Sequence, residues 1–285
     1  MYSTKKDGAP VTIYVPIDCK NKCVFCSEKQ LYEDQSDFNV NKIIKSMEKM
    51  NTLTPNCDFI ISGGEPLNNM GTLERILMKI DFMNLQGARH KVYINTTLPI
   101  RQKKDIYTLN KWRKVITCIN VSRQVNPYMV ESNDILLSYL RVPVRVVCVL
   151  YKLEDAMYAY ELRDRFENYT IQFRDNFENV EFLNLYNMQG NKIFIQLLKT
   201  FNVSMNENEF KYESYSWTYP INEKIEFYRT MRNTKIEWAN IVDSDGKPIS
   251  DMTEINNVII TPKGEILDDW EGKPLDLIQY KERNK

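Results

Sequence analysis

Short runs of β-branched and aromatic residues alternate, over the first 180 residues, with stretches in which apolar residues recur at helical spacing. The strand-like runs are 11–17, 59–62, 91–95, 115–121, 142–150 and 169–173. The stretches of helical period are 41–50, 71–83, 104–109, 134–140 and 154–166. This alternation predicts an α/β fold in which parallel strands are joined by right-handed crossovers.

Two architectures fit this alternation, a closed or partial (β/α) barrel and a doubly wound sheet. The Rossmann form of the second expects G-x-G-x-x-G after the first strand, and the sequence has no such motif there. In both architectures functional groups collect at the carboxyl ends of the strands. The first strand is followed by clustered cysteines, so we expect the chemistry to lie at that end.

The regular alternation fades beyond residue 180. Residues 193–201 and 222–232 are predicted as helices, whereas 180–188 is ambiguous. Two hairpins are predicted, one from 236–242 with Asp245-Gly246 as its turn, the other from 258–260 with a turn at 262–264 before Ile266. We expect residues 1–200 to form the core and residues 201–285 a C-terminal extension of one helix and β-hairpins.

The charge balance and the absence of long apolar runs narrow the function class. The 285 residues include 38 basic and 38 acidic side chains, and this zero net charge disfavours binding of long nucleic acid. No run approaches the about 18 apolar residues of a membrane span. The first residues contain no apolar signal segment, so we expect a cytoplasmic protein without a membrane partner.

Three of the six cysteines lie in the segment DCKNKCVFC after the first strand. Cys19, Cys23 and Cys26 form a C-x-x-x-C-x-x-C arrangement, which can bind three irons of a [4Fe-4S] cluster and leave the fourth open to a small molecule. A structural zinc site would need a fourth ligand, for which Cys57 and His90 are the nearest candidates. We therefore favour iron–sulfur over zinc.

The other three cysteines, Cys57, Cys118 and Cys148, lie at strand-like positions, where packing is the expected role.

A glycine-rich motif follows the second strand. The segment ISGGEP contains Gly63, Gly64, Glu65 and Pro66. The two glycines let the backbone approach a ligand, and their carbonyls, with the Glu65 carboxylate, can accept hydrogen bonds from an ammonium group. The motif lies one β–α unit after the cysteine loop, as a shared site requires.

With Phe25 before the last cysteine of the triple and GGEP after the next strand, the chain resembles the radical S-adenosylmethionine (radical SAM) enzymes. The motifs span residues 11–66, and the strand–helix alternation extends the match to about 180. The resemblance implies an oxygen-sensitive enzyme with a partial (β/α)6 TIM-like barrel, a [4Fe-4S] cluster and S-adenosyl-L-methionine (SAM). A one-electron reductant such as flavodoxin or ferredoxin would drive SAM cleavage to a 5′-deoxyadenosyl radical, which abstracts hydrogen from the substrate.

The resemblance assigns roles residue by residue. Cys19, Cys23 and Cys26 match the cluster ligands, and Phe25 matches the aromatic position against adenine. The segment from Gly63 to Pro66 matches the one that holds the SAM amine.

Further matches lie at later strand ends. Asn95 and Thr96 resemble a polar pair of the family, Ser122 a contact to the ribose, and Arg123 a contact to the SAM carboxylate. A solvated strand end explains Ser122 and Arg123 equally well. Val147 and Val149 could flank adenine, although core packing is the favoured interpretation.

The segment NNVIITPKGEILDDW resembles the hairpin of SPASM or twitch extensions, which in many family members bind auxiliary clusters. No cysteine follows Cys148, so we expect none here.

The substrate is left open. A small molecule or nucleotide is ranked ahead of a peptide or protein substrate of the maturase or glycyl-radical-activase type. The alternative to an enzyme is a non-catalytic iron–sulfur electron carrier or redox sensor. Polar strand-end residues are candidates to contact the substrate, and two aromatic residues could form a lid. The candidate contacts are Tyr14, Asn95, Thr97, Gln124, Arg174, Asn184 and Tyr186, and the lid residues are Trp217 and Tyr219.

Overall fold

The computed structural model describes residues 2–3, 9–15, 19, 21, 23–26, 38–99, 103–125, 134–175, 191–213, 216–230, 235–237, 253–255 and 258–267. The strands are β1 (Tyr2–Ser3), β2 (Ala9–Val15), β3 (Cys57–Gly63), β4 (Lys91–Thr96), β5 (Cys118–Ser122), β6 (Val144–Leu150), β7 (Thr170–Asp175), β8 (Lys211–Glu213), β9 (Ser216–Pro220), β10 (Ile225–Thr230), β11 (Lys235–Glu237), β12 (Thr253–Ile255), β13 (Val258–Ile260) and β14 (Ile266–Leu267). The α-helices are α1 (Val40–Leu53), α2 (Met70–Leu85), α3 (Lys103–Lys111), α4 (Leu153–Met157), α5 (Ala159–Arg165) and α6 (Lys192–Thr200), and 3-10 turns span Pro66–Asn69, Asp134–Tyr139 and Glu207–Glu209.

The main sheet has 11 strands in the order β14-β13-β2-β3-β4-β5-β6-β7-β10-β9-β8. From β13 through β2–β7 to β10 every neighbouring pair is parallel, and the three remaining pairs are antiparallel. The described strands leave this sheet open. All six predicted strands form, in sequential spatial order, which confirms the α/β fold with a mostly parallel sheet.

The two faces of the parallel strands differ in polarity. On β4, Val92 and Ile94 are buried in the apolar core, together with Ile76 and Ile80 of α2, whereas the alternate residues Tyr93 and Asn95 are half-buried. The same alternation recurs on β5, where Ile119 lies in that core. Because side chains alternate along a strand, one face packs against the helices and the other carries polar groups.

The predicted helix at 222–232 is wrong, because Ile225–Thr230 within it form β10, which pairs in parallel with β7. Ile225 and Phe227 are buried, while Glu226 and Tyr228 are half-buried, a period of two rather than 3.6. The Asn222 side chain accepts the backbone N–H of Ile225 at 2.9 Å, which favours a turn before the strand.

The predicted helix at 154–166 is divided at Tyr158, where α4 ends and α5 begins. Ala156 and Leu162 are buried, whereas the apolar side chains of Met157 and Tyr160 are exposed. The start of α4 is fixed by the Asp155 carboxylate, which accepts the backbone N–H groups of Tyr151 and Lys152.

Five of the described strands after residue 200 join the main sheet at its two edges. β8, β9 and β10 extend it beyond β7, and the confirmed hairpin of β13 and β14 extends it beyond β2. The Ser46 hydroxyl of α1 donates to the Gly264 carbonyl at 2.5 Å, which fixes this hairpin's turn against the helix. β1, β11 and β12 form a separate small sheet.

The ambiguous segment 180–188 and the turn at Asp245-Gly246 lie outside the described residues. Within the described part of the chain, none of the helices has the length and hydropathy needed to cross a bilayer.

Candidate functional site

The cysteine loop begins at the carboxyl end of β2, a strand between β13 and β3. Cys23 is buried, Cys19 and Cys26 are half-buried, and none of the three forms a disulfide. The Cys26 N–H donates to the Cys23 carbonyl at 3.2 Å, so the second and third cysteines share one turn. Three thiols on one short loop are the donor set that a cluster with three thiolate ligands requires.

Electrostatic contacts link this loop to the GGEP motif. Burial raises the pKa of the Cys19 thiol above its usual 9.0, and the charges of Glu65 and Cys26 raise it further, while a hydrogen bond from the Asn21 backbone acts in the opposite direction. Cys19 therefore lies within charge-interaction range of both Glu65 and Cys26.

Among the described residues, no three His, Cys, Asp or Glu side chains are grouped so as to hold a single metal ion. A cubane differs in that each thiolate binds a different iron, so its ligands need not converge on one point.

Gly63 brings the GGEP motif against the strand that precedes the cysteine loop. Its φ is +117°, and a Cβ at this position would lie 2.2 Å from the Val15 carbonyl oxygen. The Gly64 N–H donates to that same oxygen at 3.1 Å. We expected the glycines to leave room for a ligand, but at Gly63 the space is filled by the backbone of Val15.

The Glu65 carboxylate is only 2% exposed and accepts four hydrogen bonds. Its donors are the Leu67 N–H at 3.1 Å, the Thr97 N–H at 2.8 Å, the Thr97 hydroxyl at 2.7 Å and the Thr96 hydroxyl. Burial raises the pKa of Glu65, while these hydrogen bonds oppose the rise. A carboxylate offers about four acceptor positions, so a ligand ammonium must displace one of the two rotatable hydroxyls to reach it.

Arg123 lies behind this carboxylate rather than at an open edge. The side chain is 0% exposed, and its Nε donates to Asp134 at 2.8 Å. Its Nη1 donates to the backbone carbonyls of Thr97 and Ser122 at 2.9 and 2.8 Å. The guanidinium thus fixes Thr97, which in turn donates to Glu65. The sequence suggested a direct contact to SAM and did not suggest this positioning role.

The remaining site residues predicted from the resemblance lie near these groups. The Asn95 side chain reaches Ser62, the residue before the glycines, at 3.5 Å, and Pro66 is buried at the start of its 3-10 turn. Ser122 is half-buried at the end of β5. The Phe25 ring lies 6.5 Å from the ring of Tyr151, which follows β6.

Two of the other candidates are part of the structural core. The Gln124 side chain is buried and accepts the Val149 N–H at 3.2 Å. Tyr219, considered as a lid residue, is fully buried, and its hydroxyl accepts the Asn206 N–H and donates to the Ser204 carbonyl. Asn184 and Tyr186 lie outside the described residues.

His90, considered as a fourth zinc ligand, lies at the opposite end of the sheet from the cysteine loop. Its Nδ1 accepts the Cys57 N–H at 3.0 Å, and its Nε2 lies 2.8 Å from Asn51 Oδ1. Burial lowers its pKa to about 4. The ring is a neutral structural group that bridges the starts of β3 and β4.

Comparisons with known proteins agree on the fold. No protein-family model and no curated protein matches the chain. Among solved structures, a crystal structure of Streptococcus suis SuiB is 13% identical with a TM-score of 0.55 and covers 95% of this chain and 64% of its own. SuiB bound to the precursor peptide SuiA is 14% identical with a TM-score of 0.56 over 94% and 62%. Polyhistidine-tagged anSMEcpe with bound AdoMet is 17% identical with a TM-score of 0.53 over 68% and 59%.

These structures are of radical SAM enzymes, so the chain has the fold that the resemblance implied. The chain spans about 60% of the length of the structures that it matches.

Proposed function

We propose that this protein is a radical SAM enzyme in which Cys19, Cys23 and Cys26 hold a [4Fe-4S] cluster and the GGEP motif holds SAM. When bound, the reduced cluster and SAM would supply a 5′-deoxyadenosyl radical for hydrogen abstraction from the substrate. The observation that carries this proposal is the juxtaposition of the two motifs, with Gly63 packed on the Val15 backbone and Cys19 within range of the Glu65 charge.

The residues around Glu65 would bind and orient the SAM amine. The Glu65 carboxylate, with the carbonyls of Gly63 and Gly64, offers acceptors for an ammonium group. The hydroxyls of Thr96 and Thr97 fix the carboxylate until the ammonium replaces one of them. Arg123 positions Thr97 through its backbone carbonyl, so it acts on SAM only through its neighbours.

The other matched residues are proposed to line the rest of the SAM site. Phe25 would lie against the adenine, Asn95 and Ser122 would contact the ribose side, and Pro66 would fix the turn after Glu65. A one-electron reductant such as flavodoxin or ferredoxin is the expected partner.

We propose a peptide substrate, since SuiB has been solved with its precursor peptide SuiA and anSMEcpe with the Cp18Cys peptide. The former likeness extends over 94% of this chain. This reverses the order suggested by size and composition, which placed a small molecule or nucleotide first.

The test is SAM cleavage by the anaerobically reconstituted protein with dithionite. We expect 5′-deoxyadenosine and methionine in equal amounts, and brown iron–sulfur absorption that is absent from Cys23→Ala. Cys118→Ala is the matched control and should retain iron and cleavage, because Cys118 lies on β5 away from the loop. Iron without SAM cleavage would instead support an electron carrier or redox sensor, and a colourless protein with one zinc would exclude both.

A further inference from the structure

A row of hydrogen-bonded polar side chains crosses five neighbouring strands, β4, β5, β6, β7 and β10, on the face opposite the apolar core. This polar row consists of Asn95, Asn120, Arg145, Gln172, Arg174 and Glu226. Asn95 and Arg174 were among the candidate substrate contacts from the sequence, whereas the other four residues were not. At this face a (β/α) barrel is normally filled with branched apolar side chains, so a charged row requires an explanation.

The centre of the row is an ion pair between Arg145 and Glu226. Arg145 Nη1 lies 3.3 Å from Glu226 Oε1, and the two side chains are 26% and 36% exposed. An ion pair that is this accessible contributes little to folding, because solvent screens it. Stability alone therefore does not account for the pair.

Buried amides fix the orientation of both charged groups. The Asn120 side chain accepts the Arg145 Nε–H at 3.0 Å and donates to Asn95 at 2.8 Å. On the other side, Gln172 donates to Glu226 Oε1 at 2.5 Å. Asn120 and Gln172 are almost fully buried, so the accessible charges are held from behind by a rigid shell.

Each charged group keeps one edge available. Within the described part of the chain, no group accepts a hydrogen bond from Arg145 Nη2, and none donates to Glu226 Oε2. The two groups thus present a donor and an acceptor side by side, in a fixed orientation.

A second guanidinium lies one layer nearer the carboxyl end of β7. Arg174 Nε donates to Gln172 at 2.6 Å, and its guanidinium carbon lies 5.1 Å from the centroid of the Tyr228 ring. The row itself carries two guanidinium groups and one carboxylate. Guanidinium groups bind carboxylates through paired N–H donors, so the row favours a negatively charged group.

We propose that the polar row binds a carboxylate of the substrate together with a neighbouring N–H, with Arg145 binding the carboxylate and Glu226 accepting the N–H. This inference deepens the proposed function and rests on it, because the bound molecule is a substrate only if the protein is the proposed enzyme. Such a group occurs in an acidic residue of a peptide and in a free amino dicarboxylic acid. The two sources share one recognition chemistry and differ in whether the backbone amides are capped.

The binding test uses the reconstituted protein loaded with SAM and three probes: N-acetyl-L-glutamate methylamide, its glutamine counterpart and free L-glutamate. Titration calorimetry or ligand-observed NMR should give about tenfold tighter binding of the capped acid than of the capped amide. Arg145→Gln should remove this preference. Glu226→Gln should strengthen binding of the acid, because a like charge is removed while an acceptor remains. Arg141→Gln, an exposed arginine outside the row, is the matched control and should behave as wild type.

The outcomes separate this inference from the proposed function. Equal binding of acid and amide, or a preference that survives Arg145→Gln, overturns the inference even if 5′-deoxyadenosine is formed. A preference that persists in a protein unable to cleave SAM supports the row as a binding site and removes only the radical chemistry. Tighter binding of the capped acid supports a peptide source, and tighter binding of free glutamate a small-molecule source. If Arg145→Gln fails to fold, the opposite sign expected for Glu226→Gln decides the question.

Discussion

Replacing Gly63 with alanine tests whether the GGEP motif is fixed by its contact with the strand before the cysteine loop. At φ +117° an alanine is strained by about 1–3 kcal/mol. Its Cβ would also lie 2.2 Å from the carbonyl oxygen and 2.6 Å from the nitrogen of Val15, both backbone atoms. Overpacking of this kind costs about 1–3 kcal/mol more, so we expect the free energy of unfolding to fall by about 4 kcal/mol in total.

Gly87→Ala is the matched control, because Gly87 has a similar φ of +104° but no atom within 4 Å of an added Cβ. It should lose only the strain, about 1–3 kcal/mol. Urea unfolding followed by circular dichroism gives both values, and iron content after reconstitution should fall only in Gly63→Ala. Equal losses in the two variants would refute the argument that the Val15 contact, rather than the backbone angle, makes glycine necessary here.

Three further predictions concern buried polar groups. Thr97→Val removes one of the four donors to Glu65, so it should lower the free energy of unfolding by about 1–2 kcal/mol and slow 5′-deoxyadenosine formation. Thr97→Ser keeps the hydroxyl and should behave as wild type. An unaffected valine variant would contradict the role of the hydroxyl. His90 has a pKa lowered to about 4 from 6.5, so on acidification the unfolded chain binds the proton first. The free energy of unfolding should therefore decrease as the pH is lowered, by about 2 kcal/mol between pH 7 and pH 5. His90→Gln should flatten that slope in urea titrations, and an unchanged slope would reject the assignment. Asp175→Asn should lower the free energy of unfolding by about 3–5 kcal/mol, because it leaves the buried Arg229, 3.1 Å away, without its counter-charge. Thermal unfolding should show that adding Arg229→Met restores much of this loss. A mild effect of Asp175→Asn alone would argue against a desolvated pair.

Local patterns predicted the parallel strands well, since each is a compact β-branched run such as residues 144–150. They failed at residues 225–230, which were predicted to be helical because the charged residues at 223, 224 and 226 resemble the polar face of a helix. In the structure the buried positions alternate, as in a strand. The decisive interaction there is the pairing of β10 with β7, between segments some 55 residues apart. Pairing over such distances leaves no trace in a local window, which is also why the sequence did not indicate that five of the strands after residue 200 join the edges of the main sheet.

The candidate site divides in a similar way. The cysteines and GGEP could be identified because each motif is contiguous in sequence. Three of the four hydrogen bonds that fix Glu65 come from Thr96 and Thr97, at the carboxyl end of β4, and Arg123 reaches Thr97 from the carboxyl end of β5. A strand-end arginine is as consistent with a ligand contact as with a buried brace, and only its 0% exposure distinguishes the two. Of the polar row, the sequence identified only Asn95 and Arg174 as candidates. Asn120, Arg145, Gln172 and Glu226 were missed because they come from four strands and share no motif.

The most direct test of the central claim is the electron paramagnetic resonance spectrum of the dithionite-reduced, reconstituted protein with and without SAM. Three cysteine ligands leave one iron free, so we predict a reduced cluster whose signal changes when SAM is added, in wild type and in Cys118→Ala alike. A signal that is identical with and without SAM would mean that the fourth iron is closed or that GGEP does not bind the ligand, and it would contradict the account.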